Sequence, residues 1–152
     1  MNKILDGKEF SKKLKQNIKE KVSEYKVEYN KVPKLVTIMV GDSEASKTYV
    51  NMKEKACLNV GIDPVNVQLE KCTTEELIEI INKYNDDPTV SGIMIQHPLP
   101  KSLDEKKCVE AIKPEKDVDA LTESNFANKD FPIPLSPERI TPRFRGNTLN
   151  EL

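Results

Sequence analysis

A chain of 152 residues is long enough for one hydrophobic core and short for two ordinary domains. Apolar residues make up 37% and charged ones 32%, with 24 basic against 25 acidic side chains, the composition of a hydrophilic globular protein with no concentration of one charge. That balance argues against a nucleic-acid partner, and the lack of any apolar run of about 18 residues argues against a membrane span.

The N-terminus, Met1-Asn2-Lys3-Ile4-Leu5-Asp6-Gly7-Lys8, has no apolar core of a signal peptide and no cleavage site, so a cytoplasmic location is expected. Cys57, Cys72 and Cys108 are three in number with no CxxC pair, which predicts free thiols and supports neither a disulfide framework nor a metal site. His97 is the only histidine. With no tryptophan and four phenylalanines, the core is expected to be mainly aliphatic.

Phe10, Leu14, Ile18, Val22, Tyr25 and Tyr29 recur every three or four residues, predicting a long first helix with these on its inner face. Leu35–Val40, bounded by Pro33 and Gly41 and rich in β-branched residues, reads as a buried strand. A second helix is predicted from about Ala45 to Val60, with Tyr49, Met52, Ala56, Cys57 and Val60 inward and Gly61 as a left-handed cap. Val65, Val67 and Leu69 alternate as a second strand. Thr73 and Glu76 have capping-box spacing ahead of a third helix with Leu77, Ile80, Ile81 and Tyr84 on its apolar face. Val90–Ile95 reads as the third strand and Asp104–Ile112 as a fourth helix.

This order implies right-handed crossovers and an α/β fold: three layers, with a mostly parallel sheet covered by helices on both faces. Ligands of such sheets bind beyond the carboxyl ends of the strands. Gly41–Ser46 leaves the first strand at that edge and Gln96–Pro100 leaves the third, so the two segments are expected on one rim. Residues 1–125 form the predicted domain. Residues 126–152, with Pro132, Pro134, Pro137 and Pro142 and no apolar periodicity, read as an extended connector or tail.

Tyr49 and Lys53, four apart, share one helical face. They read either as an exposed aromatic beside a solvated lysine or as ligand-facing groups on the first turns above the crevice. Gln96 ends an apolar strand before His97-Pro98-Leu99-Pro100. It is either a polar strand end or an amide held at fixed geometry by a stiff backbone. Lys116-Asp117-Val118-Asp119 is either a solvated turn or a carboxylate placed to accept two N–H bonds from an amino-pyrimidine edge.

Taken together, Val40-Gly41-Asp42-Ser43-Glu44-Ala45-Ser46-Lys47-Thr48-Tyr49-Val50-Asn51-Met52-Lys53, Gly92-Ile93-Met94-Ile95-Gln96-His97-Pro98-Leu99-Pro100 and Lys116-Asp117-Val118-Asp119 closely resemble the folate-binding half of bifunctional methylenetetrahydrofolate dehydrogenase/cyclohydrolase. Leu5-Asp6-Gly7-Lys8, Lys55-Ala56-Cys57 with Val60-Gly61-Ile62, and Thr141-Pro142-Arg143 sit in the same family order, so the likeness covers about residues 4–143. The resemblance implies a tetrahydrofolate derivative as substrate. The family oxidises 5,10-methylenetetrahydrofolate with NAD(P)+ and hydrolyses the product to 10-formyltetrahydrofolate. It implies Lys53 as the catalytic lysine, Gln96 as its hydrogen-bonding partner, Tyr49 as the ring packed on the folate and Asp119 as the pterin anchor. Pro98 and Leu99 join the substrate-binding set, and a homodimer is implied. A lysine, ordinarily near pKa ~10.4, is a poor base at neutral pH, and burial beside a ligand cation would lower that value.

The sequence departs from the family in three places. Asp119 is followed by Ala120 and Leu121 where the family usually has glycine and an aromatic. If that position needs positive φ or a close ligand, alanine costs affinity. His97 stands where leucine is frequent and is expected to be a neighbour of the site, not its base. After Arg143 come only Phe144-Arg145-Gly146-Asn147-Thr148-Leu149-Asn150-Glu151-Leu152, read as an aberrant tail from a frameshift, a truncated gene or a gene-model boundary. Glycines at 7, 41, 61, 92 and 146 make no GxGxxG fingerprint, so the NAD(P)-binding half is expected to be absent. Two classes of function follow: a folate-active enzyme domain, either complete only with a second domain or retaining partial cyclohydrolase chemistry, or a catalytically silent module that binds folate or a partner chain.

The purified 152-residue chain is accordingly expected to produce no NADH or NADPH from methylenetetrahydrofolate. Steady NAD(P)H formation without any added protein would contradict this.

Overall fold

The computed structural model describes residues 6–127. Leu5, the prolines from Pro132 onward and Thr141-Pro142-Arg143 lie outside that range. The elements run α1 (Gly7–Tyr29), β1 (Lys34–Val40), α2 (Glu44–Val60), β2 (Asp63–Leu69), α3 (Thr74–Asp86), β3 (Gly92–Ile95), α4 (Glu105–Glu110) and α5 (Glu123–Ala127). The expected division at residue 125 falls within α5.

The strands form a parallel sheet in the order β2-β1-β3, so β1 is central and β2 lies at an edge. The register pairs Ile38 with Val67 on one side and with Ile95 on the other. The β1–α2–β2 and β2–α3–β3 crossovers move across the sheet in opposite directions. With right-handed connections, α2 and α3 therefore cover opposite faces. The α/β sheet with helices on both faces is as expected.

Strand periodicity divides the core. Val36, Ile38, Val40, Ile93 and Ile95 pack with Leu77 and Ile81 of α3 and with Cys108 and Val109 of α4. The alternate residues Thr37, Met39 and Met94 are buried on the face that α2 covers. Local signals fix the helix ends. The Thr73 hydroxyl accepts from the Glu76 amide while the Glu76 carboxylate accepts from the Thr73 amide, a complete capping box. Gly61 caps α2 at φ 88°, and a Cβ there would lie 3.2 Å from Val22 Cγ1, so the same glycine lets α1 approach.

Four boundaries or faces differ from expectation. The inner face assigned to α1 is only partly used: Val22 is buried, but Phe10 is 69% and Leu14 47% exposed, and Tyr29 is exposed too. Helix α1 packs mainly on α2, with Val22 against Gly61, so much of its apolar stripe is left open to solvent. On α2 the buried residues are Ser46, Val50, Cys57 and Val60, whereas Tyr49, Met52 and Ala56 point outward. Cys57 and Val60 are inward as expected and the other three are not, because apolar character marks a face without saying whether protein or ligand covers it. β3 begins at Gly92 and α4 is confined to Glu105–Glu110, although Val90 and Ile112 remain buried. Cys57 and Cys108 are buried free thiols, and Cys72 is half-buried and also free.

These differences set a contrast. Val22→Ala should destabilise the fold by about 1–2 kcal/mol through lost burial. Phe10→Ala should stay within about 0.5 kcal/mol of wild type. Urea unfolding of both variants measures it, and equal effects would contradict the packing described for α1.

Candidate active site

The two rim segments meet. Gly41 leaves β1 at φ 96°, its amide donates to the Leu69 carbonyl at 2.8 Å, and a Cβ there would lie 3.8 Å from Pro100 Cγ. Glycine is required because that φ disfavours a side chain. Two residues on, the Ser43 hydroxyl accepts from the Ser46 amide and starts α2. Asp42 and Glu44 both pair with Lys47 at this turn.

α2 then carries Tyr49 and Lys53 along one face. The Tyr49 ring is 58% exposed and Lys53 is half-buried. Lys53 Nζ donates to Gln96 Oε1 at 2.9 Å, across 43 residues of sequence. Gln96 is buried, and every part of it is fixed. Its backbone amide donates to the Ile38 carbonyl at 2.8 Å, and its side-chain Nε2 donates to the His97 carbonyl at 2.8 Å. With Nε2 occupied, Oε1 has to face the lysine, so the amide orientation follows from the bonding pattern.

The neighbouring turn is equally constrained. The His97–Pro98 peptide is cis. His97 Nδ1 lies 3.3 Å from Glu105 Oε1 on α4, while its buried Nε2 has no hydrogen-bond partner among the described residues. His97 is thus tied to α4 through Glu105. Pro98 is exposed on the rim, whereas Leu99 belongs to the core cluster and backs the turn from inside.

Asp119 arrives by a route that sequence did not disclose. Asp117 forms a parallel bridge with Ile93, adding one rung to the sheet beside β3. Its buried carboxylate accepts from the Thr122 amide at 2.9 Å, the Thr122 hydroxyl at 2.8 Å and Asn125 Nδ2 at 3.1 Å. Burial works against this charge, but the hydrogen bonds prevail and hold the Asp117 pKa below its ordinary value. Asp117 is thus a buried internal anchor and not part of a solvated turn. A Cβ on Gly92 would overlap Val118 Cγ1, so the glycine lets the segment lie against β3.

Asp119 follows two residues later with the opposite tendency. Loss of water raises its pKa first, and nearby Asp117 adds to this, while Lys53 and His97 act in the other direction. Its surface is still open to solvent, so it is a partly desolvated carboxylate at the mouth of the site. Lys53, Gln96 and Asp119 are therefore brought together, with Tyr49 and Pro98 on the rim above them. Among the described residues no cluster of histidine, cysteine or acidic side chains could hold a metal ion, and no helix is long and apolar enough to cross a membrane.

Residues 5–119 match the family model described as the catalytic domain of tetrahydrofolate dehydrogenase/cyclohydrolase. The chain belongs to that family. Among curated relatives it is 45% identical over 141 residues to the bifunctional protein FolD of Francisella philomiragia, covering 92% of this chain and 50% of that one. FolD of Acetivibrio thermocellus is 48% identical over 144 residues, 91% of this chain and 50% of the relative. The chain spans about half the length of the curated relatives it matches. Among solved structures, the bifunctional FolD of Campylobacter jejuni superposes with a TM-score of 0.79 at 40% identity, over 81% of this chain and 44% of that one. Trypanosoma brucei FolD, complexed with NADP cofactor and inhibitor, gives a TM-score of 0.77 at 32% identity, over 82% and 42%.

The departure from the family at Ala120 has a structural counterpart: its φ is 56°, in the left-handed region. A Cβ is disfavoured there by about 1 kcal/mol. Ala120→Gly should therefore leave stability unchanged or raise it by up to about 0.5 kcal/mol, net of the extra freedom of glycine in the unfolded chain. A lower midpoint in urea for this variant would contradict the strain.

Proposed function

We propose that this chain is a folate-binding catalytic domain whose own residues perform the cyclohydrolase step, 5,10-methenyltetrahydrofolate to 10-formyltetrahydrofolate, and bind 5,10-methylenetetrahydrofolate in the same place. The 2.9 Å bond from Lys53 Nζ to Gln96 Oε1, at the carboxyl rim of a parallel sheet and near the accessible Asp119 carboxylate, is the observation that supports this most directly. Family membership supports the substrate class.

The chemistry asks little of the protein beyond placement and proton management. Water adds to the amidinium carbon between N5 and N10 and loses a proton. The hydroxyl left on that carbon then gives up its proton and becomes the formyl oxygen as the bond to N5 breaks, N5 takes up a proton, and the formyl group remains on N10. In this reading Lys53 moves those protons, and Gln96 limits the lysine to one direction by occupying one of its N–H bonds. Tyr49 covers the folate ring, which suits an aromatic exposed on the rim. Asp119 accepts two N–H bonds from the amino-pyrimidine edge. Pro98 completes the rim and Leu99 stiffens it from the core.

NADP is the cofactor of the T. brucei structure, and the described residues here do not fit a dinucleotide. A pyrophosphate is drawn to a helix N-terminus offering free N–H groups and positive potential. Carboxylates occupy the helix starts that follow each strand: Asp42 and Glu44 at α2, Glu75 and Glu76 at α3, and Asp104 and Glu105 at α4. A cytoplasmic location and a homodimer belong to the same proposal. The free Cys57, Cys72 and Cys108 suit a reducing compartment, and the dimer rests on the family resemblance.

Hydrolysis of methenyltetrahydrofolate, followed by its absorbance, tests the assignment. Lys53→Met and Gln96→Leu should each lower the rate by about 100-fold or more while leaving the fold intact. Rates equal to wild type in both variants would sink it.

Asp119→Asn should weaken folate binding by about 1.5–3 kcal/mol, one to two decades in affinity. Because its folded pKa is raised, the charge that binds the pterin is lost, as pH falls, at a higher pH than for an ordinary aspartate. Affinity measured against pH should therefore decline on the acid side in wild type and flatten in Asp119→Asn. Identical profiles would remove Asp119 from the binding site.

A further inference from the structure

The Lys116 side chain lies away from the Lys53–Gln96 pair, yet it is more heavily engaged than either. Its ammonium carries three protons, and it donates to the carbonyls of Tyr84 at 3.0 Å, Asn85 at 2.8 Å and Asp87 at 2.7 Å. These carbonyls belong to the end of α3, where the last turn has no partners of its own and the helix dipole is negative. Among the described residues Lys116 makes no ion pair, and burial is the first cause lowering its pKa, with Lys113 adding to it. Asp87, Glu115 and Asp86 act in the other direction.

A helix end needs no such arrangement for its own sake. Helix α3 already has Lys83 in its last turn, and water could satisfy the carbonyls. The lysine used instead comes from 29 to 32 residues further along the chain and is partly buried to reach them. The tie makes sense for what it holds at its other end. Asn85 repeats the pattern from the same turn: its Nδ2 donates to the Ala111 carbonyl at 2.7 Å, and its Oδ1 accepts from the Lys113 amide at 3.0 Å. Residues 111–116 are thereby strapped to the end of α3. The Lys116 carbonyl then accepts from the Ile93 amide at 2.7 Å, which sets the bridge at Asp117, and Asp119 follows.

We propose that Lys116 is a positioning residue for Asp119: its three-carbonyl clamp on α3 fixes where the segment 116–119 enters the rim, and so where the ligand-facing carboxylate stands. The ligand part of this statement rests on the folate reading above. The positioning part does not. A cap that served only α3 would affect stability and leave Asp119 unchanged.

The carboxyl carbon of Asp119, assigned by its loss in Asp119→Asn, can be titrated by NMR in the full chain without any ligand. In wild type it should titrate above the ordinary aspartate value of ~3.9. In Lys116→Met, which keeps most of the aliphatic stem and removes all three donors, it should move back toward that value as the segment loosens and water enters. Ile81→Val thins the packing of the same helix without touching the clamp, and should lower the melting temperature while leaving the Asp119 titration in place. Should Lys116→Met not fold, Lys116→Gln keeps part of the donor set and should give a partial shift. Affinity for 5-formyltetrahydrofolate, a stable folate, should fall about tenfold in Lys116→Met and stay at the wild-type value in Ile81→Val. An Asp119 titration unchanged by loss of the clamp, with only the melting temperature lowered, overturns the proposal. A shifted titration in a protein whose wild type binds no folate supports the positioning role and removes the folate reading instead.

Discussion

The bond from the Gln96 amide to the Ile38 carbonyl is where the sheet becomes a site. It is the last rung between β3 and the central strand, and beyond it the chain turns into the rim. Because β1 and β3 are parallel, both end at this level, and a helix can start directly above β1. Lys53 descends from that helix to a side chain whose own backbone is part of the ladder. A displacement of one residue in the β1–β3 register would move Gln96 to the other face and leave the lysine without its partner. The placement is thus a property of the sheet before it is a property of the loop.

Two carboxylates in one short segment show how surroundings divide roles. Asp117 has three hydrogen-bond donors around it and keeps its charge despite burial. Among the described residues Asp119 has no such donor set, and burial raises its pKa, so its charge is held less firmly and is open to a ligand's N–H groups. One acid fixes the segment and its neighbour remains available. The cationic Lys53 nearby lowers the cost of that availability.

Much of this was legible in the residues. The β-branched run of β1, the Thr73/Glu76 spacing and the glycine at 61 each encode a local event, and each occurs where expected. The pairing of Lys53 with Gln96 could be suspected only through several motifs in order, since no local rule joins residues 43 apart. What escaped was either a phase or a long-range tie. Tyr49 and Met52 have the apolar character of inward residues and point outward. Phe10 and Leu14 keep helical spacing yet stay exposed to solvent. Lys116 and Asp117 look like a solvated turn because their partners, Tyr84 to Asp87 and Thr122 to Asn125, are not neighbours in any sequence pattern.

Among the described residues, the order β2-β1-β3 leaves one flank of β2 without a strand beside it. Such an edge is a template onto which another extended chain can add, with self-association as the hazard. Two features of β2 work against that. Pro64 offers no amide hydrogen to an incoming strand. Asn66 and Gln68 alternate as exposed polar residues between Val65, Val67 and Leu69, so an arriving apolar segment would find only half of a dry surface. The flank can therefore stay wet while the rim opposite the strand starts remains free for small molecules, and the domain gains solubility from the same strand that closes its sheet.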